Sequence, residues 1–160
     1  MADFKKVGLL VVKGDSFLLC RKKGLKSGLI LPGGRIEPGE SSLECLNREL
    51  LEELGDVRLE SAEYLGTYKD VAASDDPKTQ NMLQIELYKG NLIGDPEPNS
   101  EIAELIWVTP DSDPDYFTPI MRNRIIPDLT SRGILSQDFM SRIVCNFKRH
   151  RIELLAPAKD

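Results

Sequence analysis

The sequence predicts an α/β fold in a single domain, and three observations carry that expectation. Its 160 residues fit one domain at roughly 100–200 residues each and exceed the roughly 70–80 residues below which a core needs staples. Several short apolar runs rich in β-branched residues read as strands. One helix is marked at both ends by its own residues. Apolar residues at 41% and charged residues at 29% are an ordinary globular balance.

The elements follow in order. Val7–Val12 is a continuous apolar run, then Gly14-Asp15, then Phe17-Leu18-Leu19-Cys20; two strands about a turn, as a hairpin, fit this pattern. Arg21, Lys22, Lys23 and Lys26 decorate the exit. Leu29-Ile30-Leu31 is a third short run, ended by Pro32-Gly33-Gly34, which requires a turn or a loop of close approach.

The helix begins after Ser41. Ser41-Ser42-Leu43-Glu44 matches a capping box, in which the hydroxyl and the Glu44 carboxylate satisfy each other's exposed amides. Leu43, Leu46, Leu50 and Leu54 recur at helical spacing as one apolar stripe. Gly55 stands where a left-handed cap ends a helix.

Val57–Tyr68 and Met82–Tyr88 read as strands, the second with Leu83, Ile85 and Leu87 on one face. Ala72–Gln80 and Gly94–Ser100 read as loops, and Ile102–Val108 as a late strand with Trp107 in the core. Tyr64, Tyr68 and Phe117 are read as core in the same way. Thr118-Pro119 opens a helix that Pro127 kinks or ends. Ser136 onward is amphipathic, a last helix or strand. No repeat or linker interrupts the chain, so 1–160 is expected as one domain, with 116–160 a C-terminal helical extension of unassigned role.

Composition excludes several chemistries. One histidine, His150, and three cysteines cannot build a His-rich or Cys₄ zinc site, and a serine triad would depend on His150. Cys20, Cys45 and Cys145 form no CxxC pair, so buried free thiols of a reducing cytoplasm are expected. The apolar run near the N-terminus is too short for a signal peptide, and no stretch reaches membrane-span length. The net charge of −5 argues against a nucleic-acid polymer as partner. The basic run Lys148-Arg149-His150-Arg151 reads as a solvated tail.

The acidic residues of the capped helix are ordered. Glu49, Glu52 and Glu53 are related by i,i+3 and i,i+4, so they share one helix face, expected to point away from the leucine stripe. Three like charges repel unless compensated. Hard divalent cations take oxygen ligands, and Mg²⁺ characteristically uses one or two carboxylates plus substrate phosphates. A Mg²⁺ or Mn²⁺ site acting on a phosphate-bearing substrate and a solvated acidic helix face are both open on this ground alone.

The spacing weighs between them. Gly34, Glu40, Arg48, Glu49, Leu50, Glu52, Glu53 and Gly55 match the Nudix box G-x5-E-x7-R-E-U-x-E-E-x-G-U, with Asp56 in place of the final aliphatic residue. At roughly 5–7% usage per residue type, seven fixed positions coincide by chance in fewer than about one chain in a million. The chain therefore resembles the Nudix hydrolase family, and by elimination of subfamily marks a compact MutT-like member of it.

The resemblance implies a mixed β-sheet between helices and hydrolysis of a nucleoside diphosphate linked to a further moiety X. It implies that Glu49, Glu52 and Glu53 bind divalent metal, Mg²⁺ or Mn²⁺, and that Glu52 or Glu53 also orients or deprotonates the attacking water. Glu40 and Arg48 are implied as the pair that orients loop and helix, Gly33 and Gly34 as shapers of the loop. Relatives add a carboxylate ahead of the late strand; Glu101 stands in that place, with Glu97 and Glu104 as alternatives. Arg35, and after it Arg21, are candidates for phosphate contact.

Marks of particular subfamilies are missing. The proline of ADP-ribose enzymes would fall near Val71-Ala72, and Pro77 is too late. The tyrosine of dinucleoside polyphosphate enzymes would fall near Ala73-Ser74. The Ser-Gln-Pro-Trp mark of NADH enzymes and the upstream mark of coenzyme A enzymes do not occur. A nucleoside or deoxynucleoside triphosphate is therefore expected, cleaved to monophosphate and pyrophosphate. A nucleotide sugar or dinucleotide stays open. So do a regulatory module that binds a nucleotide without turnover and a diphosphate isomerase, which would want a cysteine and further acidic residues in the pocket and for which Cys20 and Cys45 offer no clear candidate. The expected partner is a small nucleotide, with a homodimer left open.

Overall fold

The computed structural model describes residues 2–25, 28–74, 76, 78 and 80–144. The expectations on Lys26, Cys145, His150 and the basic run 148–151 fall outside them.

Among the described residues, nine strands form three sheets. β1 (Phe4–Leu10), β4 (Gly33–Arg35), β6 (Glu63–Val71) and β7 (Met82–Lys89) make the largest, in the order β4-β1-β7-β6. It is mixed: β1 runs parallel to β7, while β4 and β6 pair antiparallel with their neighbours. β2 (Val12–Lys13), β3 (Ser16–Lys22) and β9 (Ile102–Val108) form a second sheet, and β5 (Arg58–Leu59) pairs with β8 (Leu92–Ile93).

The N-terminal run is not one strand of a hairpin. β1 belongs to the large sheet, and only Val12–Lys13 turns back on β3. The reason lies in burial on both faces, which makes a strand read as an unbroken apolar run. Val7, Leu9 and Val11 join Leu18 and Cys20 in the core cluster under α1 (Ser42–Leu54), while Leu10, Phe17 and Leu19 enter the opposite cluster. Val57–Tyr68 likewise divides, because β5 and β6 have different partners.

α1 keeps both reciprocal bonds of its capping box. Gly55 has the positive φ expected, 79°, but a ψ of −140° that is not left-handed helical. The stripe differs from expectation in one place: Leu46, Leu50 and Leu54 are buried, whereas Leu43 is 42% exposed. Cys45 and Glu53 complete the buried face instead.

Helices on the other side cover the larger cluster. Residues 119–120 lead into a π-helical turn, Met121–Ile125, and then α2, Ile126–Ser131. Pro127 neither ends nor breaks this helix. It lacks an amide and crowds the preceding turn; the wider π spacing ahead of it, with the Ile126 amide donating to the Met121 carbonyl, places Pro127 in the first turn of α2, where a missing amide costs nothing. Residues 138–144 are helical. Ile120, Met121, Ile125, Leu129, Leu135, Phe139 and Ile143 pack with Leu83, Ile85 and Leu87.

Two aromatic expectations are corrected. Trp107 is 38% exposed, with the Lys13 ammonium 5.7 Å from its ring centroid, and Tyr64 is exposed beside Tyr88. Strand alternation places Trp107 between the inward Ile106 and Val108. Phe117 is buried and Tyr68 packs against the core.

Candidate active site

β4 and α1 meet at two glycines. A β-carbon on Gly33 would lie 2.0 Å from the Val7 carbonyl oxygen, at a φ of 138° that side chains avoid. A β-carbon on Gly34 would lie 2.3 Å from the Glu49 carboxyl carbon. The Pro32-Gly33-Gly34 segment is thus a strand of close approach.

Arg48 organises what lies above it. Its Nε and a terminal nitrogen donate to the two oxygens of Glu40 at 2.7 and 2.9 Å, a bidentate fork. Its other terminal nitrogen donates to Glu49 at 2.9 Å and lies 3.7 Å from Glu52. A further bond reaches the Arg35 carbonyl at 3.2 Å, tying loop to helix. The hydrogen bonds from Arg48 and from the Glu37 amide hold the Glu40 carboxyl down at about 2. The Cys45 thiol donates to the Arg35 carbonyl at 3.0 Å, and burial pushes its pKa up to about 12.

The three box carboxylates do not share one environment, which corrects the expectation that all face out of the core. Glu53 is only 9% exposed and accepts from the Gly33 amide at 2.8 Å. Burial pushes its carboxyl up to about 7, against the pull of that amide. Burial also raises Glu49, opposed by Arg48. Glu52 is exposed. Among the described residues, no three ligating side chains converge on one point as they stand. The donor set nevertheless suits a hard divalent cation. All its atoms are carboxylate oxygens, and burial raises two of the carboxylates, Glu49 and Glu53, despite the bonds they accept from Arg48 and the Gly33 amide, so a cation would favour their charged forms.

The other sequence candidates scatter. Glu101 is exposed and pairs with Lys22 at 3.4 Å; it acts on Glu49 only through its charge. Glu97 and Glu104 are exposed. Arg35 is exposed with its guanidinium 4.0 Å from the Phe4 ring centroid, and Arg21 lies 5.7 Å from that of Tyr116.

A cavity of about 400 Å³ opens beside Gly33 and Gly34. Leu31, Leu83, Ile85 and Met121 line it together with Lys6, Lys22 and Lys23. Lys6 was not singled out by the sequence. Burial, then Lys22 and Arg35, hold its ammonium below the ordinary lysine value, against the opposing charges of Glu53 and Glu49. The signal available was a lysine on the even-numbered face of β1, in register with Gly8 and Leu10.

The site thus sits in a mixed sheet between helices, where an acidic helix packs on a double-glycine strand. The chain belongs to the NUDIX domain family, whose model matches residues 4–127. Members of this family generally use divalent metals and act on small nucleotides. A Bacillus subtilis protein with the provisional name 8-oxo-dGTP diphosphatase is 35% identical over 95 residues, 59% of each chain. The NAD-capped RNA hydrolase NudC of Pseudomonas syringae pv. tomato is 40% identical over 60 residues, 37% of this chain and 21% of that one. The chain thus matches only part of the length of these curated relatives. Among solved structures, the MutT NUDIX hydrolase from Burkholderia pseudomallei superposes with a TM-score of 0.61 at 25% identity, covering 74% of this chain and 92% of that one.

Proposed function

We propose that the protein is a pyrophosphohydrolase that cleaves a diphosphate bond in a nucleoside or deoxynucleoside triphosphate, releasing monophosphate and pyrophosphate. The observation that carries this reading is the carboxylate set Glu49, Glu52 and Glu53, oriented by the Arg48–Glu40 fork and opening at Gly33-Gly34 onto a cavity. The name of the Bacillus subtilis relative supports a triphosphate.

Glu49, Glu52 and Glu53 would hold Mg²⁺ or Mn²⁺, with Glu101, whose charge acts on Glu49, as the candidate for an added carboxylate. When bound, the ion neutralises phosphate charge and lowers the pKa of coordinated water. Glu52 or Glu53 orients the attacking water and takes its proton as the phosphorus–oxygen anhydride bond breaks. Arg48 and Glu40 keep the helix face and the loop in register, and phosphoryl transfer depends mostly on such positioning. Arg35 and Arg21 would contact phosphate only after leaving Phe4 and Tyr116.

We read residues 1–160 as one domain. We place it in the cytoplasm, on the free buried thiols of Cys20 and Cys45; among the described residues no helix is long and apolar enough to cross a membrane. Sedimentation of the purified protein distinguishes monomer from homodimer.

The test is turnover of a panel of triphosphates, oxidised triphosphates, nucleotide sugars and dinucleotides with Mg²⁺ or Mn²⁺. Metal-dependent release of pyrophosphate plus monophosphate is expected, lost in Glu52→Gln and Glu53→Gln with the fold intact. Tight binding of one nucleotide with no turnover of any would make the protein a binding module.

A further inference from the structure

Lys6 is the group in the cavity to which no role has been given. It stands on β1 opposite Arg35 of β4 and Ile85 of β7. Alternation along β1 puts it on the face of Gly8 and Leu10, away from α1. None of the described residues gives its ammonium a hydrogen bond or an ion pair. Three donors on a largely desolvated cation are costly to leave unmet.

The surroundings say what would meet them. Lys6, Lys22 and Lys23 line the cavity, and no carboxylate among the described residues does. Gly33 and Gly34 also line it, and Glu53 and Glu49 lie directly against those two glycines. The opening is therefore acidic on the α1 side and basic on the β1 side. A diphosphate chain has non-bridging oxygens on both sides. Those facing α1 are served by the carboxylates and their cation; those facing β1 need a donor of positive charge.

We propose that Lys6 binds a non-bridging oxygen of the phosphate that carries the nucleoside, from the side of the phosphate chain opposite Glu49, Glu52 and Glu53. This rests on the reading of those carboxylates as a diphosphate site. Lysine suits the role as a compact point charge on a flexible stem. With the nucleoside against the aliphatic wall of Leu31, Leu83 and Ile85, the phosphate next to it borders Lys6, whereas the distal phosphates lie further along the carboxylate face.

The experiment compares Lys6→Met, which keeps the stem, and Lys6→Gln with Lys6→Arg. It measures kcat and KM on the best substrate of the panel, and the dissociation constant of imidodiphosphate in the presence of Mg²⁺ by calorimetry. Both neutral variants should raise KM and the imidodiphosphate dissociation constant about 10-fold or more, the effect of losing one charge-assisted hydrogen bond. Lys6→Arg should recover most of the loss, and the melting temperature should change little. A merely structural lysine would shift melting and leave both constants alone. Unchanged constants in either folded neutral variant overturn the proposal, and so does wild-type protein that fails to bind imidodiphosphate at millimolar concentration. If Glu52→Gln is inactive while Lys6→Met is unaffected, the diphosphate reading stands and the Lys6 role falls. If imidodiphosphate binding depends on Lys6 but no nucleotide is turned over, the Lys6 role stands and the hydrolase reading falls.

Discussion

The Glu49 carboxyl group occupies the space that a side chain on Gly34 would fill: a β-carbon there would lie 2.3 Å from its carboxyl carbon and 2.7 Å from its Cγ. Strand and helix can approach this closely only because residue 34 has no side chain.

Gly34→Ala should therefore separate activity from stability. The clash is with a movable side chain, so the fold should survive, while Glu49 is displaced. A misplacement of about 1 Å can cost on the order of 100-fold in rate, and a drop of that order in kcat with a melting temperature near wild type is expected. Gly33→Ala should do the reverse. It meets the Val7 backbone at 2.0 Å and a φ of 138°, and should destabilise the protein by more than about 1 kcal/mol, read by chemical denaturation.

The Arg48–Glu40 fork sets an acid limit. Glu40 is held at about 2 in the folded protein, below the roughly 4.3 of an unfolded glutamate. Its contribution to stability is fully present above the unfolded value and is lost as pH falls toward about 2. Denaturation of wild type and Glu40→Gln should differ at pH 7 and converge near pH 2. Arg48→Lys loses the second prong of the fork, and should lower kcat more than it raises KM.

An alkaline counterpart lies on the other face of the sheet. Tyr68 donates to the Asp128 carboxylate, which also pairs with Arg132. Burial first, and the Asp128 bond second, push the phenol up to about 12. A raised pKa disfavours the phenolate in the folded state, so this contribution is complete below about 10 and disappears as pH rises toward 12. Wild type should lose stability over that interval faster than Tyr68→Phe, as read by denaturant midpoints.

Two leucines of the expected stripe should behave differently. Leu50 is buried, and Leu50→Ala should cost about 2–5 kcal/mol. Leu43→Ala should stay within about 0.5 kcal/mol, because Leu43 is substantially exposed. Equal losses would place Leu43 in the core after all.

What was legible in the sequence was mostly local. The capping box of α1 is written within four residues, and Leu83, Ile85 and Leu87 of β7 face the core as their alternation predicts. The spacing from Gly34 to Gly55 likewise marks the carboxylate helix. What stayed hidden depends on distant partners. Glu53 is buried because the Gly33 amide, twenty residues away in sequence, comes to its oxygen. Val7–Val12 divides because its residues serve two sheets. Lys6 looks like an ordinary strand-edge charge until β7 and the C-terminal helices close around it.

The bond between the Gly33 amide and Glu53 has one more consequence. Its proton lies on the backbone but senses the charge on a site carboxylate. In an ¹⁵N-labelled sample, that single amide resonance would follow protonation of Glu53, arrival of a cation or approach of a phosphate, without a probe being attached. The glycine that shapes the loop also serves as an intrinsic spectroscopic sensor of the carboxylate it holds.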